Sequence, residues 1–347
     1  MNFTEKIYDT IDEQMEEGYP MVTLNDIAKI ANVSKSTVSR YLNNGSVSEK
    51  TKNKLDKIIK DTGYQPNRLA QSLKASKSNM IGVIIPRYNS PSTNLVMEGI
   101  DTVAYREGIQ LMIMNSNLNL NRTKNNIKSL ERQKVEAIVL FATLIDEDLS
   151  EQIKHSNIPI ILVGQELREV SFLTYQDYEA GRSIAQHAID LGHRKILFVG
   201  VTEEDHAVGV LRKKGFYDVA KKAGAEIKFV ETEFSRTYSY KKALKFLPEM
   251  DATYIAAATD HIAVGIFNAG MELGFSIPND FSLSGFGGYS VTQNVFPNIT
   301  TVSYPFEDLG KLVIQEVQKI IQSEIENREI RVKLPVELTI QGSTKKI

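Results

Sequence analysis

The run Ser34-Lys35-Ser36-Thr37-Val38-Ser39-Arg40 gathers hydroxyl donors and two cations within two helical turns. Side chains of this kind near the start of a helix reach base edges in the DNA major groove, where an Arg grips guanine with two parallel bonds. Other residues suit a small polar ligand. Arg87 follows an apolar run, in Pro86-Arg87-Tyr88-Asn89-Ser90, and precedes a helix start near Ser92. An Arg beside a helix N-terminus makes a ready anion site, which suggests a phosphorylated ligand. Gln165, Tyr175, Asp177, Thr259 and Asp260 also stand just past apolar runs, where ligands settle in α/β folds. For Asp260, capping of the next helix is an equally good reading.

Other chemistry finds little support. The chain has no Cys, so disulfides, thiolate metal sites and Cys nucleophiles are excluded together, as suits a reducing cytosol. The five His, at 155, 187, 193, 206 and 261, show no metal-ligand spacing. There is no P-loop and no Gly-x-Ser-x-Gly elbow, and Gly285-Phe286-Gly287-Gly288 lacks the third glycine of a dinucleotide fingerprint. The sequence therefore predicts neither an enzyme nor a cofactor. No apolar run is long enough to span a membrane, and no stretch near Met1 resembles a signal peptide, so a cytoplasmic protein is expected.

The elements that must position these residues can be read from the same pattern. Thr23 caps a first short helix, in which Leu24, Ile27, Ala28 and Ala31 share a face. Asn32-Val33 breaks it. Ser34 caps a second helix from Lys35 to Asn43, ended by Asn44-Gly45. A third helix, Ser48 to Thr62, packs through Leu55, Ile58 and Ile59 and carries Lys50, Lys52, Lys54, Lys57 and Lys60. Two short helices joined by a tight turn, with polar donors on the second, form a helix-turn-helix. Charge agrees. Residues 22–79 hold 11 Lys/Arg against 4 Asp/Glu, while residues 1–21 hold 1 against 6. A basic module on an acidic body is the footprint of nucleic-acid binding.

The 347-residue chain is long enough for two or three domains. From Met80 onward apolar runs alternate with amphipathic stretches. Strands are predicted at Met80–Ile85, Gln110–Met114, Ala137–Phe141, Ile160–Val163, Ile196–Val199, Tyr254–Ala257 and Phe281–Phe286, with Tyr175 and Asp177 at the end of another. Helices are predicted at Ser92–Glu107, Asn121–Gln133, Tyr178–Leu191, Val208–Ala223, Tyr238–Leu247, Asp260–Leu273 and Pro305–Ser323. Continuous apolar strands alternating with helices imply parallel sheets covered on both faces, and so many strands imply two lobes.

The stretch from Thr23 to Leu73 resembles the headpiece of the lactose/galactose repressor (LacI/GalR) family. The resemblance rests on Asp26-Ile27-Ala28, Val33-Ser34, Thr37-Val38-Ser39-Arg40, Leu42-Asn43 and Pro66-Asn67-x-x-Ala70. It implies a headpiece at 22–79 with a hinge helix at 66–75, which forms on operator DNA. Each protomer of a homodimer would then wedge Leu73, with Ala70 beside it, into the minor groove. Base reading would fall to Lys35, Ser36 and Arg40, with Thr23, Leu24, Ser34, Thr37, Ser39, Asn43 and Asn67 also on the DNA. Residues 1–21 are a departure, an acidic extension that packs on the module, stays disordered or marks an upstream start.

Residues 80–340 resemble the effector-binding core of the same family, itself like periplasmic binding proteins. The marks are Leu191-Gly192-His193-Arg194-Lys195-Ile196, Arg212-Lys213-x-Gly215-Phe216, Ala258-Thr259-Asp260-x-x-Ala263-x-Gly265 and Pro297-x-Ile299-Thr300-Thr301-Val302. By that likeness the chain crosses between lobes three times, with 80–191 and 305–323 in one lobe and 192–304 and 324–347 in the other. A sugar effector would then meet Arg87, Tyr88, Ser90, Phe141, Gln165, Asp177, Arg212, Phe216, Thr259, Asp260 and Tyr289. Arg212 falls on the family's sugar-gripping Arg, and stacking falls to Tyr88, Phe141, Phe216 or Tyr289.

Within the family the sequence looks like the sucrose-operon repressors, on Ile84-Ile85-Pro86-Arg87, Leu162-Val163-Gly164-Gln165, Val201-Thr202-Glu203, Ala207-Val208-Gly209 and Gly285-Phe286-Gly287-Gly288-Tyr289. Sucrose or sucrose 6-phosphate is the effector this implies. The trehalose-operon repressors share the Arg after the first strand, which keeps trehalose 6-phosphate as a second choice. Gly287 stands where the wider family often has a sugar-binding Asp, so that contact must come from elsewhere.

Overall fold

The computed structural model describes residues 22–42, 45–64, 78–322 and 329–347. The chain divides into two compact units between Ser78 and Asn79. The acidic extension 1–21, Asn43 and the hinge segment with Asn67, Ala70 and Leu73 lie outside the described residues.

The first unit holds three helices, α1 (Leu24–Ala31), α2 (Lys35–Leu42) and α3 (Glu49–Thr62). Thr23 and Asp26 cap α1 reciprocally: the Thr23 hydroxyl accepts from the Asp26 amide, and the Thr23 amide donates to the Asp26 carboxylate at 3.0 Å. This capping box satisfies two of the orphan donors at the helix start. Asn32, in the left-handed region at φ 51°, ends α1 and makes the turn into α2. Ile27, Ala28, Ala31, Val38, Leu55 and Tyr64 form the small core.

The second unit begins with β1 (Met80–Ile85), α4 (Pro91–Arg106), β2 (Gln110–Asn115), α5 (Leu120–Arg132), β3 (Ala137–Phe141), α6 (Glu147–Lys154), β4 (Ile160–Val163) and β5 (Ser171–Tyr175). It continues with α7 (Asp177–Asp190), β6 (Lys195–Gly200), a π-helical turn at His206–Arg212 and α8 (Lys213–Lys222). Then come β7 (Glu226–Glu231), α9 (Arg236–Phe246), β8 (Tyr254–Ala257), α10 (Asp260–Glu272), β9 (Ser282–Gly287) and β10 (Thr300–Ser303). The chain closes with α11 (Phe306–Ile321), β11 (Arg331–Leu334) and β12 (Glu337–Thr339).

Two six-stranded sheets result, in the orders β11-β5-β4-β3-β1-β2 and β12-β10-β9-β8-β6-β7. Every pairing is parallel except β12 on β10. Strands β1, β3, β4, β8 and β9 are buried along their whole length, as expected for the middle of a sheet covered on both faces. Strands β7, β11 and β12 lie at sheet edges and carry exposed residues.

The expected lobe boundaries need correction in two places. Helix α7 was expected in the first lobe, which would end at 191, but it packs on α8, and its His187 hydrogen-bonds Thr344 at 2.9 Å. The chain therefore leaves the first lobe at Gln176. Residues 324–347 were expected wholly in the second lobe. Instead β11 pairs in parallel with β5, extending the first sheet, and only then does β12 join β10 of the second. The apolar Val332 and Leu334 complete the first lobe's edge there. Helix α11 packs on α4 of the first lobe, as expected.

Candidate functional site

In the headpiece, Ser34 begins α2, accepting from the Thr37 amide at 3.2 Å, and its hydroxyl bonds those of Ser36 and Thr37 at 2.8 Å each. Val38 is fully buried, which turns Lys35, Ser36 and Arg40 out to solvent. Thr37 and Ser39 are half-buried at the edges of that face. Gly45 donates its amide to the Arg40 carbonyl at 2.8 Å and closes the end of α2. Leu24 packs partly into the core, while the Thr23 hydroxyl lies 2.6 Å from the Asp26 carboxylate. The five α3 lysines are all exposed.

In the core, the ends of both sheets border a cleft of about 610 Å³. Its floor is a buried charge network. The Arg212 Nε donates to Asp177 Oδ1 at 2.7 Å, and Arg212 Nη1 donates to the Ala258 carbonyl at 3.1 Å. The Tyr304 hydroxyl donates to the same Asp177 oxygen at 3.0 Å. The guanidinium also lies over the Tyr304 ring, 4.7 Å from its centroid. Burial alone would discourage the Arg212 charge, but Tyr304 and Asp177 outweigh it and hold the pKa above its usual range. Asp177 and Tyr304 lie on two of the three segments of chain that pass between the lobes, so this network joins the second lobe to both of those crossings.

Glycines place Arg212. A Cβ at Gly181 on α7 would stand 2.0 Å from the Arg212 carbonyl, and one at Gly215 on α8 would stand 2.0 Å from the Tyr178 carbonyl. The two helices therefore touch backbone to backbone, and Arg212 is held against Asp177 at the first residue of α7. An aromatic layer covers the floor. Phe306 stacks on Tyr304 and Tyr289 at 5.5 and 5.6 Å, and Tyr175 meets Tyr304 and Phe306 edge-on. Tyr289 comes from the second lobe, yet it lines the cleft together with Ser92 at the start of α4. Gly287, at φ 139°, leaves room for this ring, since a Cβ there would lie 2.6 Å from it. Burial pushes the Tyr289 phenol up to about 12.

The structure brings Arg87, Ser90, Phe141, Gln165, Asp177, Arg212, Thr259 and Tyr289 to the cleft. Ser90 also caps α4, and Gln165 donates to the Thr143 carbonyl at 2.8 Å. Thr259 caps α10 through the Ile262 amide. Three expected contacts fall elsewhere. Tyr88 is 66% exposed and does not line the cleft. Phe216 is fully buried against Phe198, with ring centroids 5.2 Å apart, and belongs to the core. Asp260 neither caps its helix nor faces the cleft. Its carboxylate accepts from the Thr301 hydroxyl at 2.6 Å and the Tyr289 amide at 2.8 Å, so it positions the Tyr289 loop. Burial raises Asp260 to about 6, against the opposing pull of those donors.

Other lining residues escaped the sequence reading. Phe234 lies under Arg87, 5.3 Å from guanidinium to ring centroid, and links the lobes across the cleft mouth. Asp205 stands at the start of the π-helical turn. Thr232 lines the cleft with a buried hydroxyl that has no partner among the described residues, and so does Tyr175, which the sequence had already marked at a strand end. Burial alone marks such groups as candidates for ligand contact. Their signal in the sequence was position just past a strand, which polar loop residues share widely. Among the described residues, no group of three His, Asp or Glu could hold a metal ion, and no helix is long and apolar enough to cross a membrane.

Comparison with known proteins supplies two family matches. Residues 23–67 match the model of bacterial regulatory proteins of the lacI family, and residues 185–344 match a periplasmic binding protein-like domain. The chain is 40% identical to the sucrose operon repressor of Staphylococcus xylosus over 318 residues, covering 89% of this chain and 97% of that one. It is 28% identical to catabolite control protein A of Priestia megaterium, over 93% and 99% of the two chains. Among solved structures, a lac repressor dimer bound to operator and the anti-inducer ONPF superposes with a TM-score of 0.87 at 23% identity, covering 94% and 100%. A CelR–cellobiose complex gives 0.70 at 22% identity, with the same coverage. The last two establish the fold: a helix-turn-helix module followed by two parallel-sheet lobes.

Proposed function

The chain belongs to the lacI family of bacterial regulatory proteins, and on that premise we propose that it represses a sugar-utilisation operon as a dimer on a palindromic operator. It is a DNA-binding, sugar-responsive transcriptional repressor and not an enzyme. The effector is sucrose or sucrose 6-phosphate, with trehalose 6-phosphate as the second choice, held between the lobes. The observation that carries this reading is the cleft floor, where Arg212 of the second lobe meets Asp177 and Tyr304 on two of the three crossings. A ligand that engages Arg212 acts on the segments about which the lobes must move. Likeness to the Staphylococcus xylosus repressor supports the choice of sugar.

On DNA, Lys35, Ser36 and Arg40 read bases from the exposed face of α2, supported by Thr23, Leu24, Ser34, Thr37, Ser39, Asn43 and Asn67. The hinge residues Ala70 and Leu73 enter the minor groove. Sugar binding changes lobe closure, parts the paired hinges and loosens the operator. This requires sugar and operator to prefer different states, because a ligand shifts an equilibrium only by its differential affinity.

The supports for a phosphorylated effector are Arg87 at the cleft mouth and the α4 N-terminus capped by Ser90 beside it. Calorimetric titration of wild type and Arg87→Ala with sucrose and sucrose 6-phosphate tests this. Arg87→Ala should weaken sucrose 6-phosphate at least about tenfold more than sucrose, the loss of one charge-assisted contact. Equal losses would remove Arg87 as the phosphate clamp. A wild-type protein that binds neither sugar would overturn the choice of effector.

A further inference from the structure

The cleft has four lining carboxylates, Asp177, Glu204, Asp205 and Glu233. Asp177 is committed to Arg212 and Tyr304. Glu204 and Glu233 are exposed, where water competes for their hydrogen bonds. Asp205 is half-buried. One of its oxygens accepts from the Val208 amide at 2.8 Å and caps the π-helical turn, and the other has no donor among the described residues. Burial raises its pKa, opposed by the Val208 amide and by the charges of Arg212 and Arg87. The carboxylate stays partly open to the cleft it lines, so a ligand donor there can replace water on that oxygen.

Its position is fixed by the local fold. The π-helical turn runs from His206 to Arg212, so Asp205 and Arg212 bracket it, and both line the cleft. The Gly209 amide donates to the Asp205 carbonyl at 2.7 Å. A Cβ at Gly209 would lie 2.0 Å from the Thr202 carbonyl, so the turn is pressed onto the loop that carries Asp205. Wide turns of this kind often mark functional sites in helices. The result is one rigid element presenting an acceptor at one end and a cation at the other.

We infer that Asp205 is a specificity-determining residue of the cleft, whose free carboxylate oxygen accepts a hydrogen bond from a hydroxyl of the sugar while Arg212 donates from the other end of the same turn. This rests on the reading of the cleft as a sugar site. It also accounts for Gly287: the second lobe's acidic contact comes from the loop after β6, and the β9 end is left free for the Tyr289 ring.

Asp205→Asn and Asp205→Ser both keep a side-chain oxygen able to cap the turn. The full-length chain and both variants would be titrated with sucrose and sucrose 6-phosphate by calorimetry, and melted without ligand. Asp205→Asn should weaken sucrose about tenfold with an unchanged melting temperature, as expected for loss of a charge-assisted hydrogen bond. Because it removes a negative charge near Arg87, it should also raise the ratio of sucrose 6-phosphate to sucrose affinity. Asp205→Ser, which cannot reach the ligand, should weaken sucrose at least as much. A purely capping residue would leave both affinities and their ratio unchanged in both variants, and that result would overturn the inference. Failure of wild type to bind either sugar would instead overturn the cleft reading and this inference with it.

Discussion

The headpiece and the core display their functional side chains in opposite ways. On α2, Lys35, Ser36 and Arg40 project into solvent from a helix held by one fully buried contact, Val38. In the core, Arg212 is 8% exposed and already carries an ion pair, a carbonyl contact and two aromatic faces. The contrast follows from the two ligands. DNA is large and charged and meets an exposed surface, where binding is spread over many separate contacts. A sugar is small and must be stripped of water, so its site is buried and prearranged. A change on α2 should therefore alter binding without disturbing the fold, whereas a change on the cleft floor should alter both.

The largest break in that contrast is expected from Arg212→Ala. It strands the buried Asp177 carboxylate, and breaking a buried pair by removing one partner costs about 3–5 kcal/mol. Denaturant unfolding should show that loss, and the operator should cease to respond to sugar. Stability within 1 kcal/mol of wild type, as an order-of-magnitude threshold, would mean the network does not hold the crossings. Arg40→Ala comes next. It should cost about 1–3 kcal/mol of operator affinity and relax base choice at one position, while sugar affinity and unfolding stay unchanged. Equal loss on random DNA would make Arg40 a phosphate contact instead. A smaller effect is expected from Lys57→Ala on exposed α3, which should reduce the salt slope of operator binding by about 0.9 without changing sequence preference.

The smallest effect concerns Asp260, whose pKa burial raises to about 6. A carboxylate with a raised folded-state pKa contributes stability below its unfolded value and loses it as pH rises through the folded one. Wild type should therefore gain melting temperature relative to Asp260→Asn as pH falls from about 7 to 5. A pH-independent difference would remove Asp260 as the titrating group.

How much was legible in the sequence divides along the same line. The headpiece could be read in detail, because Thr23, Ser34 and Ser48 signal helix starts and its contacts are local. The central strands β1, β3, β4, β8 and β9 were plain as apolar runs. The edge strands β7, β11 and β12 were not: Glu226–Glu231, for one, carries three charged residues in six and resembles a surface loop. Nor was the π-helical turn, since His206–Arg212 shares the apolar pattern of the α-helix expected over Val208–Ala223. In the cleft, Arg212 was found through family likeness, but Asp205, Thr232 and Phe234 were missed. They sit on loops without a motif and meet only when the second sheet closes. Asp260 misled for the converse reason: a polar residue past a strand can face its own lobe, as its bonds to Thr301 and Tyr289 show.

The central claim is that a sugar in the core cleft sets the grip of the headpiece on DNA. Operator affinity measured by fluorescence anisotropy, with and without saturating sucrose or sucrose 6-phosphate, tests it most directly. The account predicts that one of these sugars weakens operator binding at least about tenfold, and that operator weakens that sugar by the same factor, as linkage demands. An unchanged operator affinity, with the sugar shown by calorimetry to be bound, would contradict it.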